Sequence, residues 1–268
     1  MEFTDSPHGA PLRSEQLSPD DTDLREAIAS LASLVTNHRR LPELLAEVAA
    51  FAVRAIPGAD GAGVTLLNVD KADNMVAALA ASAPFVAEID EIQYVTVNEG
   101  PCITAALERR TVRSGSLGGE KMWPRFGPRV GRLGVHSALS LPLLLPDRVV
   151  GAINVYAYGR DVFDEHAAEF GELFAKPAAV AVYNAQILSD ALALSVQLQT
   201  ALSTRPVIDQ AIGIIRGRTG RTADEAFAQL RVMSQSEHRK LADVARQLVD
   251  QAVRRAHAHS RADPDNPV

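Results

Sequence analysis

The spacing of apolar residues along the chain changes character several times, and each change marks a boundary. Leu24, Ile28, Leu31 and Val35 recur at helical steps behind a capping box offered by Asp23 and Glu26. A second helix is predicted over 42–56, with Pro42 early in it and Leu45, Val48, Ala52 and Ile56 on one face; Pro57-Gly58 stops it. The period then becomes extended. Strands are predicted over 61–68 and 75–82, joined by a polar turn over 69–74, with a crossing helix near 85–92. A third short strand at 94–97, a helix from Cys102 to about Arg110 and a fourth strand near 111–114 follow. Trp123-Pro124 leads into a helix that ends by Gly131. Strands over 137–145 and 149–158, turned at Pro146-Asp147, form the clearest hairpin. Helices at both ends of a run of antiparallel strands indicate an α+β sandwich.

From Phe163 a helical path runs through Leu202, interrupted at Pro177. Ile187, Ala191, Leu194, Leu198 and Ala201 fall at three- and four-residue steps, over a run too short to establish a coiled coil. Two readings stay open: a helix packed back on its own sheet, or a stalk pairing with a second copy.

Three short amphipathic helices are predicted over 201–253. The first carries Ile208, Ala211, Ile212 and Ile215, starts or kinks at Pro206, and ends at Thr219-Gly220. The second opens with the capping box Thr222 to Glu225 and buries Ala226, Phe227, Leu230 and Met233. The third, opened by Ser234 or Ser236, carries Leu241, Val244, Ala245, Leu248 and Ala252. None can bury its stripe alone, so they form a bundle.

Charge separates this bundle from the rest. From residue 201 onward there are 11 Lys and Arg against 8 Asp and Glu, while residues 1–200 hold 16 against 25, within an overall net charge of −6. A basic end on an acidic chain suggests a nucleic-acid-facing surface. Residues 1–20 and 256–268 read as disordered tails. Apolar runs are too short to span a bilayer and no signal segment is evident, so a cytoplasmic protein without a membrane partner is expected.

The single cysteine, Cys102, excludes an internal disulfide and any all-cysteine metal site within the chain. No Lys, Arg or His lies within six residues of it to stabilise a thiolate, so it reads as a small buried hydrophobe. The histidines make no metal pattern, Gly118-Gly119 lacks the Lys-Ser/Thr of a phosphate cradle, and no nucleophile, base and orienter come together. No catalytic residue and no metal are expected.

In one register, Ala201-Leu202, Arg205, Ile208, Ala211, Gly213, Glu225-Ala226-Phe227, Leu230-Arg231 and Ser234 resemble the ANTAR domain. That is the RNA-binding three-helix module of bacterial transcription antitermination regulators. The resemblance implies binding of tandem RNA stem-loops in a nascent transcript, with Arg205, Gly213 and Arg231 in the family pattern; Arg216 and Arg218, opposite the Ile208, Ile212 and Ile215 stripe, and Gln210 are further candidate contacts, and Arg231 could equally pair with Asp224 or Glu225 on its own helix. Ile212 stands where many members have lysine. Upstream, Asn98 to Cys102, Trp123-Pro124, Ser137 to Pro142 and Gly151 to Val155 resemble a GAF sensor domain over about 24–185, of the kind joined to ANTAR domains in actinobacterial regulators. A departure at Ser114-Gly-Ser116 removes an acidic residue that many relatives carry. The implied organisation is a GAF-like domain over 21–185, a helical linker over 186–200 and an ANTAR domain over 201–255. A small-molecule pocket would draw on Val64, Cys102, Trp123 and Leu139, its ligand unknown. A homodimer that binds RNA and not DNA is expected; the alternative is a ligand-sensing regulator acting through protein contacts.

Overall fold

A computed structural model describes residues 18–34, 40–67 and 76–262. The expected turn at 69–74, residues 1–17 and 263–268 of the expected tails, and Val35 lie outside these residues. The chain divides into two compact units, 1–189 and 190–268.

The first unit is built on five antiparallel strands. They are β1 (Gly61–Leu67), β2 (Val76–Ala81), β3 (Val112–Ser114), β4 (Ser137–Leu144) and β5 (Val149–Ala157), ordered β2-β1-β5-β4-β3. The hairpin register pairs Ser140 with Asn154 and Leu141 with Ile153. Strand alternation sends Ala62, Val64 and Leu66, Leu139, Leu141 and Leu143, and Ile153, Val155 and Ala157 to one face. There they meet helices α1 (Pro19–Leu34), α2 (Leu41–Ala55) and the start of α6 (Glu165–Thr219), through residues such as Leu31, Val48, Phe174 and Val182. The opposite face is covered by α3 (Pro84–Asp90), α4 (Pro101–Glu108) and α5 (Gly127–Arg132). Because both faces are covered, every residue of β1 is buried.

Several expectations shift. The first helix starts at Pro19, inside the expected tail, because Ser18 and Asp21 cap it instead of Asp23: the Ser18 hydroxyl donates to the Asp21 carboxylate at 2.8 Å and accepts from the Asp21 N–H at 3.1 Å. The expected strand at 94–97 is a π-helical turn over Glu91–Val97, closed by left-handed Asn98, whose N–H donates to the Gln93 carbonyl. Val95 is thereby turned out to 73% exposure while Gln93 and Val97 go inward.

Helix α6 runs unbroken past both prolines. At Pro177 the flanking Phe174, Ala178 and Val182 are packed in the core, which offsets the lost helix bond. At Pro206 the carbonyl it would leave free belongs to solvent-exposed Leu202, where water can satisfy it. Contrary to the expectation from run lengths, one stretch of α6 is long and apolar enough by composition to cross a bilayer. Asn184, Gln186 and Asp190 stand along that helix.

The second unit holds the end of α6 with α7 (Ala223–Ser236) and α8 (Leu241–Ala262). Its core is Ala211, Ile215, Ala226, Leu230, Val244 and Ala245, with Ile208, Ile212, Met233, Leu241 and Leu248 half-buried around it. The expected capping box is present: Thr222 N–H donates to Glu225 at 2.9 Å, and the Thr222 hydroxyl accepts from Glu225 N–H. Ser234 and Ser236 do not open the third helix. Both lie within α7, and the Ser234 hydroxyl donates to the Arg239 carbonyl across the turn. Helix α8 continues to Ala262, into the stretch expected to be tail. Phe227, expected in the core, is 41% exposed.

Candidate functional site

In the first unit, polar side chains converge on the sheet face beneath α3 and α4. Thr65, Ser140 and Asn154 project from the strands, Asp90 ends α3, Gln93 and Tyr94 come from the π-turn, and Cys102 from α4; all but half-buried Tyr94 are fully or almost fully buried. The Tyr94 hydroxyl, with one proton to give, lies 3.0 Å from the Thr65 hydroxyl and 2.7 Å from the Cys102 sulfur, and Ser140 donates to the Asn154 side-chain oxygen at 2.8 Å. Gln93 Oε1 accepts from the Cys102 N–H at 3.2 Å. A Cβ at Gly100 would lie 2.2 Å from that oxygen, so only glycine permits this approach.

Part of the cluster lacks partners among the described residues: both Asp90 carboxylate oxygens, Gln93 Nε2, Asn154 Nδ2 and the Tyr156 hydroxyl. Leaving such groups unpaired in a protein interior costs about 1–3 kcal/mol each. Burial raises Asp90 to about 7. Burial likewise pushes the Cys102 thiol up to about 12, and holds Tyr94 and Tyr156 well above the usual phenol range, with the Asp90 charge nearby adding to each. Burial therefore favours the protonated thiol at Cys102. The arrangement offers acceptors at Asp90 and donors at Gln93 and Asn154 to a small polar guest.

The pocket residues expected from sequence do not come together. Val64 and Leu139 lie on the helix-packed face with α2 and α6, across the sheet from Cys102 and Trp123, because alternate residues of a strand point to opposite faces. Trp123 is buried, its indole N–H donating to Thr104 at 2.9 Å. Next to it Glu99 accepts from the N–H groups of Arg125 and Phe126 at 2.8 and 3.0 Å. Burial alone would raise Glu99, but these bonds and the Arg125 side chain hold its carboxyl below the usual range. Glu99 and Trp123 thus fasten the loop before α5 to the start of α4. Asn154, a polar residue inside the apolar run from Gly151 to Val155, was the sequence signal for the cluster; Asp90 and Gln93 carry none that periodicity reads.

In the second unit the arginines between 205 and 246 fall into two groups. Arg221 donates to Gln229, Arg239 to Glu237 and Gln247, and Arg246 to Asp243. Arg205, Arg216, Arg218 and Arg231 are exposed and carry no hydrogen bond or ion pair among the described residues. Arg231 pairs with neither Asp224 nor Glu225, whose carboxylate is engaged by Thr222. Arg205 and Arg216, eleven residues apart, lie within about 20° on one face of α6, roughly 16 Å apart along it. Arg218 lies about 200° around from Arg216, so the expected contacts do not share one face of the helix. Gln210 is exposed, and Gly213 has open space where a side chain would be. Ile212 is half-buried and packs against the bundle core.

A model of the GAF domain matches residues 38–182, more than half of the chain, and a model of the ANTAR domain matches residues 196–249. The chain belongs to the GAF and ANTAR domain-containing regulators. ANTAR is a known RNA-binding antitermination output domain and GAF a sensor domain. Among solved structures, the chain is similar to the GAF domain of a phosphoenolpyruvate-protein phosphotransferase from Coxiella burnetii, at 14% identity over 63% of this chain and 98% of that one, with a TM-score of 0.49. It is also similar to free methionine-R-sulfoxide reductase from Neisseria meningitidis (18% identity, 66% and 99% covered, TM-score 0.47). A third is a GAF sensor protein from Burkholderia vietnamiensis (15%, 63% and 98%, TM-score 0.45). No curated protein matches the chain. In the GAF domain the polar cluster is enclosed by the sheet and α3 and α4; in the ANTAR domain the free arginines face solvent.

Proposed function

We propose that this GAF and ANTAR protein is a cytoplasmic, dimeric transcription antitermination regulator that binds stem-loops of nascent RNA under control of its GAF domain. The observation that carries the reading is the set of exposed, unpaired arginines in the ANTAR domain, Arg205, Arg216, Arg218 and Arg231. Guanidinium groups without an internal carboxylate are free to neutralise phosphates and to bond splayed loop bases, which is how hairpin RNA is read when its deep groove excludes side chains. Because Arg216 and Arg218 point to different sides of α6, the RNA wraps around the end of this helix.

Ile187, Leu194 and Leu198 of α6 are about half exposed and share one stripe, which supports pairing with a second copy. The unpartnered polar atoms around Asp90 support a small polar ligand for the GAF domain, whose occupancy would bias the helical stalk. The protein acts as a regulator and not as an enzyme, a reading that the GAF and ANTAR architecture supports and the burial of its one thiol accords with.

A synthetic RNA of two tandem hairpins with randomised loops, enriched on the purified protein, tests the reading. Log affinity should fall linearly with log salt, with a slope of about −0.7 to −0.9 per phosphate neutralised. Absence of binding at any salt by protein that is dimeric would overturn it. A second reading, regulation through protein contacts, is favoured by a further exposed stripe on α6, Leu188, Leu192 and Val196. Charge reversal at Arg205 and Arg218 separates the two: lost RNA binding with dimerisation intact supports the first, and unchanged RNA affinity the second.

A further inference from the structure

Phe227 is the only aromatic residue from Asp190 onward. Burying a phenylalanine side chain stabilises a fold by about 1.5–3 kcal/mol, yet this one stays out of the bundle core that its helix neighbours Ala226 and Leu230 complete. Four residues later, about 40° around and about 6 Å along α7, stands Arg231, exposed and unpaired. Gln235 follows one further turn on the same flank, also exposed. A ring, a guanidinium plane and an amide thus form one stripe of α7, bordered by Asp224 near the helix start. Val232, on the far side of α7, lies instead in a groove with Arg221 and Gln229, which are engaged with each other.

We infer that Phe227 is a base-stacking residue: an unpaired nucleobase from the RNA loop lies against its ring, while Arg231 holds the adjoining phosphate or base and Gln235 reaches a base edge. This rests on the RNA-binding reading above and specifies the part of the RNA that α7 takes, a splayed loop base rather than the duplex. An aromatic face accepts any base, and a neighbouring guanidinium adds a second stacking plane and a charge. The ring contributes no charge, so its loss should leave the salt dependence of binding alone.

The test uses the full-length protein and the enriched tandem-hairpin RNA, with 2-aminopurine placed in turn at each loop position. Phe227→Ala is expected to weaken binding about 5- to 100-fold with an unchanged salt slope, and to abolish quenching at one loop position that wild type quenches. Phe227→Trp should retain both affinity and quenching, whereas Phe227→Leu should lose both. Arg231→Ala should weaken binding and also reduce the salt slope by about one phosphate's worth. Wild-type affinity in Phe227→Ala, or full affinity in Phe227→Leu, would overturn the inference while leaving the RNA reading intact. Loss of dimerisation in Phe227→Ala would assign the ring to a protein contact and overturn it as well. If wild type binds no RNA at all, both readings fall together.

Discussion

The two domains treat polar groups in opposite ways. Among the described residues, the GAF domain takes a carboxyl, two amides and phenols into its interior and leaves several without partners, whereas the ANTAR core consists of alanine, isoleucine, leucine and valine, with Arg205, Arg216, Arg218, Arg231 and the Phe227 ring exposed. An unpaired polar group is expensive inside a protein and nearly free at its surface. The difference fits the proposed roles, a domain that encloses a small ligand and one that meets RNA.

The largest effect that could break this comparison concerns the GAF core. Trp123→Ala removes a fully buried ring and its bond to Thr104, and should destabilise the GAF domain by about 3–5 kcal/mol. In calorimetry its transition should fall while an ANTAR transition stays in place; a common shift of both would mean that the domains unfold as one. Next is the pH dependence from Asp90. Its folded-state value, raised to about 7, lies above the ordinary carboxylate range. The protonated form is favoured in the fold, so the stability it confers is full below pH ~4 and is lost as pH rises through about 7. The loss is on the order of 4 kcal/mol at most. Urea unfolding from pH 5 to 8 should show this decline in wild type, and Asp90→Asn should flatten it. A flat wild-type profile would mean that a bound cation or hydrogen-bond donor already neutralises the group. The smallest effect is at the ANTAR helix cap. Thr222→Ala should lower only the ANTAR transition, by about 1 kcal/mol.

Much of the fold was legible because burial imposes a period. The hairpin of β4 and β5, the apolar face of α2 and the capping box at Thr222 follow from alternation, helical spacing and short-range hydrogen bonding. Arg205 and Arg231 were legible in a family register, and Arg216 and Arg218 by their place opposite the apolar stripe, though none as an unpaired group. Tyr94 to Val97 misled because a short run with β-branched residues suits a strand, and only the inward draw on Gln93 and the left-handed turn at Asn98 make it a π-turn. Pro177 and Pro206 misled in the other direction, since a proline's cost to a helix is set by what packs or solvates its neighbours.

Sequence alone determined which residues could be core, where the chain turns from helix to strand and back, and that its basic end resembles an RNA-binding module. These depend on local spacing and chemistry. Tertiary structure alone decided which side of the sheet a residue faces, separating Val64 and Leu139 from Cys102 and Trp123. It also gathered Asp90, Gln93, Asn154 and Tyr156 from distant positions, and turned Phe227 outward beside Arg231. Such placements depend on which neighbours compete for the same buried space, and no window of sequence contains those neighbours.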